Sequence, residues 1–94
     1  MPPDLTRPLF IALRREFFEA FRAGTKRHEW RRYSARWSER SCPIGRQVTL
    51  SLGYSGARLF GEVIGFQRRR AQTRAQVEMF GEGTVCAVIE IRLF

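Results

Sequence analysis

After Pro8 the chain reads Leu9-Phe10-Ile11-Ala12-Leu13, a short and wholly apolar run that suits a strand covered on both faces. From Arg14 to Ala23 the period lengthens. Phe17, Phe18 and Phe21, with Ala20, recur at helical spacing, Arg15, Glu16, Glu19 and Arg22 fill the opposite face, and Gly24 stands where a helix C-cap belongs. This predicts a helix of about two to three turns. Between Arg27 and Tyr33 alternation takes over: in an extended chain His28, Trp30 and Arg32 point one way, and Arg27, Glu29, Arg31 and Tyr33 the other. Trp30 is the expected core anchor of this segment, with His28 packed or hydrogen-bonded on the same side.

Ser34 to Gly45, with Trp37, Arg40 and Pro43, is polar and irregular, as in a loop or a short helical turn. Val48 to Leu52 alternates cleanly, Gly53-Tyr54-Ser55-Gly56 makes a turn, and Arg58 to Phe66 returns with Phe60, Ile64 and Phe66 on one face. That is a β-hairpin, and Gly61 and Gly65 in its returning strand predict bends or bulges. Arg68 to Met79 carries Ala71, Ala75 and Met79 at intervals of four, which is compatible with a short helix. Beyond Gly81 and Gly83, Val85, Ala87, Ile89, Ile91 and Leu93 alternate with Cys86, Val88, Glu90 and Arg92 in a long closing strand. The order holds too few crossover helices for a doubly wound sheet. The expected class is α+β: a small barrel or strongly curled mixed sheet, one main helix packed on it and a second, short helix, with residues 1–94 forming a single domain.

Composition adds a partner class. Seventeen basic residues, sixteen of them Arg, stand against nine acidic ones, leaving a formal charge of +8. Such a surface attracts polyanions, although the same excess also arises from arginine usage without a specific partner. The apolar fraction of 44% supports one compact core and excludes a disordered chain. Cys42 and Cys86 form no short motif, and with a single His there is no plausible zinc ligand set, so no metal and no cofactor are expected. LFIAL is far too short to span a bilayer, and MPPDLTRPLF lacks the basic start and long apolar run of a secretory leader. The expectation is a cytoplasmic protein with reduced cysteines and no membrane partner.

The segment Gly24-Thr25-Lys26-Arg27-His28-Glu29-Trp30-Arg31 matches a GxKxxExR spacing and resembles the signature of the ASCH domain family within the PUA-like superfamily. Leu9 to Ala23 is similar to the family's first strand and helix. EWRRYSARWSER resembles a downstream pattern of Tyr, Trp and a further Arg, and LSLGYSG the strand and Gly-Tyr turn that follow. The resemblance implies a PUA-like β-barrel with a cleft lined by the motif, and a function on RNA or nucleotides. It also implies an alternative, a small metal-independent hydrolase: either an amidohydrolase on a modified nucleoside or a ribonuclease. In the amidohydrolase type the motif lysine is kept, but a threonine stands where this chain has Glu29, and a distant glutamate precedes the last strand. Glu78 and Glu82 are the residues here that stand near that place.

The candidate ligand-binding residues are therefore Lys26, Glu29, Arg31, Tyr33, Trp37, Arg40 and Tyr54. In the hydrolase alternative Lys26 is nucleophile, base or electrostatic clamp, and Glu29 a general base. Glu29 and Arg31 fall on one face of one strand and present an acceptor and a planar donor to a single ligand, or else form an ion pair that fixes the strand. Lys26 reaches the same place only if the chain bends after Gly24. Tyr33, Trp37 and Tyr54 offer stacking faces, yet Trp37 also suits a core and Tyr54 a turn. Arg68-Arg69-Arg70 is either a solvated charge run or a track for a phosphate backbone. Ser51 and Ser55 have no His or Asp at nucleophile spacing, which leaves a serine hydrolase without support.

Overall fold

The computed structural model describes residues 2–94. Its elements are β1 (Leu9–Leu13), α1 (Arg15–Ala23), β2 (His28–Arg32), β3 (Gln47–Leu52), β4 (Arg58–Arg70), α2 (Arg74–Phe80) and β5 (Val85–Leu93). The strands form one mixed sheet in the order β1-β3-β4-β5-β2, curled into a half-barrel, so the class is α+β as the sequence pattern predicts. Among the described residues only β1 and β3 run parallel, since the chain must cross over through α1, β2 and the following loop to join them; every other pair is antiparallel.

The concave face carries the core. Leu9, Ile11 and Leu13 of β1, Val48 and Leu50 of β3, Val63 of β4 and Ala87, Ile89 and Ile91 of β5 are all buried. Phe18 and Phe21 from α1 cover this face, and Trp37 and Cys42 join the same cluster from the long loop before β3. Trp37 is thus a core side chain, 9% exposed. Cys42 and Cys86 are both buried and unbonded, and burial pushes both thiols up. No helix among the described residues is long and apolar enough to cross a membrane.

Three local expectations are corrected. First, the inward face of β2 is the opposite one. Glu29 is buried at 6% exposure, whereas Trp30 is only half-buried and His28 is exposed. Pairing explains it, because Glu29 sits opposite the core residue Ile89 and Trp30 opposite Val88 on the convex side. Second, Phe60, Ile64 and Phe66 do not share a face. The register shifts between Val63 and Gly65, so Gly61 and Val63 point inward before the bulge, Phe66 after it, and Phe60 and Ile64 are exposed. Third, Arg68-Arg69-Arg70 is the end of β4 and not the start of a helix; α2 begins only at Arg74, behind a capping box in which Thr73 accepts from the Gln76 amide. The charges are tolerated in the strand because Arg68 lies on the Tyr33 ring, 4.3 Å from its centroid, and ion-pairs with Glu39.

Candidate functional site

The motif residues meet at the seam of the half-barrel, where the two edge strands β1 and β2 face each other. Local backbone chemistry makes this possible. Gly24 takes φ 80 at the end of α1, and the amides of Thr25 and Lys26 both donate to Ala20 O, which turns the chain back sharply. That turn is the bend the motif requires. It brings Lys26 Nζ to 3.7 Å from Glu29 Oε1, with the ammonium 5.3 and 5.4 Å from the ring centroids of Phe17 and Phe21.

The other oxygen of Glu29, Oε2, accepts from Arg31 Nε at 2.8 Å. Arg31 extends the link across the seam, its Nη2 donating to Ala12 O of β1 at 3.0 Å, while its guanidinium lies 5.0 Å from the centre of the Trp37 ring. Nearby, Arg36 donates to Phe10 O. The free carbonyls of edge strand β1 are thus met by arginine side chains in place of another strand. A buried carboxylate is tolerable here because two cations neutralise it and one makes a charge-assisted hydrogen bond.

Above Glu29 the seam opens into a cleft with two lobes. A lobe of about 170 Å³ is lined by Lys26, Glu29, Phe17, Trp30, Met79 and Phe80. An adjoining lobe of about 320 Å³ shares Glu29 and these apolar walls and adds Arg14 and Arg31, at the low end of small-molecule pockets. Helix α2 forms one rim, its end tied to β2 by Arg32, which lies 6.0 Å from the Phe80 ring centroid. The arrangement is a carboxylate floor with donors on either side, aromatic walls, and three lining cations, Lys26, Arg14 and Arg31, against that one carboxylate.

Of the sequence candidates, Lys26, Glu29 and Arg31 come together, and Trp37 supports them from beneath Arg31. Tyr33 lies farther along: its hydroxyl donates to Glu39 Oε1 at 2.5 Å, which pushes its own titration up, and Arg68 covers its ring. Glu39, receiving hydrogen bonds from Arg68 and Tyr33, is held down at about 2. Arg40 is exposed and, among the described residues, makes no side-chain hydrogen bond or ion pair. Tyr54, 82% exposed in the β3–β4 turn, stacks on Phe10 with ring centroids 6.3 Å apart and does not line the cleft. Phe17, Trp30, Met79 and Phe80 are the cleft residues that sequence reasoning left out. Phe17 and Trp30 read as core by periodicity, and Met79 and Phe80 acquire their place only through the position of α2. Glu78 pairs with Arg74 on the outside of α2. Among the described residues no group of three or more His, Cys, Asp and Glu side chains is placed to hold a metal ion.

No family model, curated protein or solved structure matches the chain.

Proposed function

We propose that this protein is an ASCH-like binding module that takes a nucleotide, free or within RNA, into the seam cleft through Lys26, Glu29 and Arg31. One observation carries the reading: a buried carboxylate, bridged by Lys26 and Arg31, forms the floor of a cleft walled by Phe17, Trp30 and Phe80. A carboxylate offers about four lone-pair sites, and Lys26 and Arg31 leave some of them free. Aromatic walls suit a flat base, which stacks irrespective of its identity. The free lone pairs of Glu29 accept from an exocyclic amino group, and the guanidinium of Arg31 donates to a ring nitrogen or carbonyl beside it. This acceptor-and-donor pair complements the amino group and ring nitrogen on the Watson–Crick edge of cytosine or adenine; in the same pose uracil sets its 4-carbonyl against the carboxylate, and it meets the pair only by shifting its N3–H onto Glu29. Lys26, beside Glu29, and the exposed Arg14 are the lining cations that take the phosphate.

The hydrolase alternative has less support, because its two required groups, Lys26 and Glu29, face each other at 3.7 Å and the carboxylate is also bound by Arg31. Such a constellation serves better as a fixed recognition surface than as a nucleophile and base awaiting substrate.

Calorimetric titration with cytidine, adenosine and uridine monophosphates tests the reading. Cytidine or adenosine monophosphate is expected to bind about tenfold or more tightly than uridine monophosphate, and Glu29→Gln to narrow that difference. Equal binding of all three, unchanged by Glu29→Gln, contradicts it.

A further inference from the structure

The convex side of the sheet carries a second concavity that the motif does not account for. It is a groove of about 440 Å³ running beneath α2, with Gly65 and Val88 in its floor, His28 and Trp30 along one side and Arg69 and Arg70 along the other. Trp30 and Gln76 line both this groove and the smaller lobe of the seam cleft. The two spaces therefore adjoin at the Trp30 indole, under the same helix.

The lining combines donors suited to bases and phosphates at the α2 and β4 sides with one carboxylate, Glu90, which sits between Gly65 and His28 in the sheet. Gln76 uses its Oε1 to accept from the amides of Gln72 and Thr73, so its NH₂ is left to donate. Arg69 spends Nε on Gln67 Oε1 at 2.8 Å, and Arg70 spends Nη1 on Gly83 O at 2.9 Å, leaving the remaining guanidinium donors of both exposed residues to solvent. Gly65 makes room for the Glu90 side chain, since a Cβ there would lie 2.9 Å from Glu90 Oε1, and this carboxylate, 3.9 Å from His28 Nε2, lies across the floor. Trp30 is half-buried, so part of its ring remains available as a platform.

We propose that this groove is a second nucleotide subsite, adjoining the seam cleft at Trp30, so that the protein's ligand is a short single-stranded oligonucleotide and not an isolated nucleoside. The proposal rests on the nucleotide reading of the seam cleft. A strand with one base over Glu29 passes under α2, stacks its neighbour against Trp30 and lays its next phosphates along Arg69 and Arg70. Adjacency to an aromatic cleft across Trp30 and Gln76, together with amide side chains suited to base edges, favours a nucleic acid over an acidic peptide.

The test compares cytidine monophosphate with the tetranucleotide of cytidines, and the corresponding adenosine pair, on the wild-type protein, on Arg69→Ala/Arg70→Ala, and on Arg15→Ala/Arg22→Ala, which removes equal charge from exposed positions on α1. The expected gain from one to four nucleotides is about tenfold or more, the yield of at least one added stack and its phosphate contacts. Arg69→Ala/Arg70→Ala should lose most of that gain with mononucleotide affinity unchanged, and the α1 variant should keep it. If mononucleotide binds but the gain is absent, is equal in both variants, or is matched by a tetra-aspartate peptide, the second subsite is overturned while the seam reading stands. If neither mononucleotide nor tetranucleotide binds, both fall.

Discussion

Arg31 Nε holds Glu29 Oε2 at 2.8 Å, and the same guanidinium spans the seam to Ala12 O. One side chain thus closes the half-barrel and orients the carboxylate of the candidate site. Removing it leaves a buried carboxylate with Lys26 as its one remaining cation among the described residues, and breaking such a pair is expensive because the surviving charge stays desolvated. Arg31→Ala is expected to destabilise the protein by about 3 kcal/mol in urea unfolding. Glu29→Gln, which keeps the shape and removes the charge, should cost less, about 1 to 2 kcal/mol. Arg31→Lys should behave more like Arg31→Ala than like wild type, since a point charge cannot serve Glu29, Ala12 O and the Trp37 face together. Equal small losses for all three variants would show that the seam is not held in this way.

The bend at Gly24 sets the reach of Lys26. Apart from its chain neighbours, no atom of the described residues lies within 4 Å of the place a Cβ would take, so substitution there is penalised by the φ of 80 and not by a clash. Gly24→Ala is expected to cost about 1 to 2 kcal/mol, and Gly24→Asn less, because Asn adopts the left-handed conformation more readily. Thermal unfolding of the two variants side by side checks this; an Asn variant no more stable than the Ala variant would contradict it.

Glu39 supplies a pH dependence with a definite sign. Arg68 first, and Tyr33 second, donate hydrogen bonds that hold its carboxyl at about 2, below its ordinary 4.5. Because folding lowers this pKa, the contribution is fully present above the unfolded value and is lost as the pH falls through the folded one. The window is therefore from about 4.5 down to about 2. Glu39→Gln should flatten the fall of Tm with acidification inside that window and leave the curve above it parallel to wild type. Curves that stay parallel throughout would remove Glu39 from the acid response.

Much of this arrangement is legible in the sequence. The apolar run of β1, the helical period of α1, the hairpin of β3 and β4 and the alternation of β5 are local patterns, and each forms the element its period dictates. The GxKxxExR spacing names the three side chains that meet at the seam. What escapes is the facing of β2, where hydrophobicity points Trp30 inward. β2 is an edge strand at the opening of the half-barrel, so its inward positions hold an ion pair, while Trp30 is sheltered outside by α2. That shelter depends on where a helix 44 or more residues later is placed, from Arg74 onward, and no periodicity records it. The extension of β4 through Arg68-Arg69-Arg70 escapes for the same reason, because Tyr33 and Glu39, which make Arg68 tolerable there, lie 35 and 29 residues away.

The measurement that bears most directly on the seam cleft is fluorescence anisotropy of a short single-stranded RNA titrated with wild-type protein and with Lys26→Ala across a salt series. The account predicts saturable binding, weakened about tenfold or more by Lys26→Ala and with a log–log salt slope smaller in magnitude by about 0.7, the share of one phosphate contact on a single strand. If both proteins bind alike and the affinity vanishes at moderate salt, the arginines act only as a diffuse polycation and the cleft is not the RNA site.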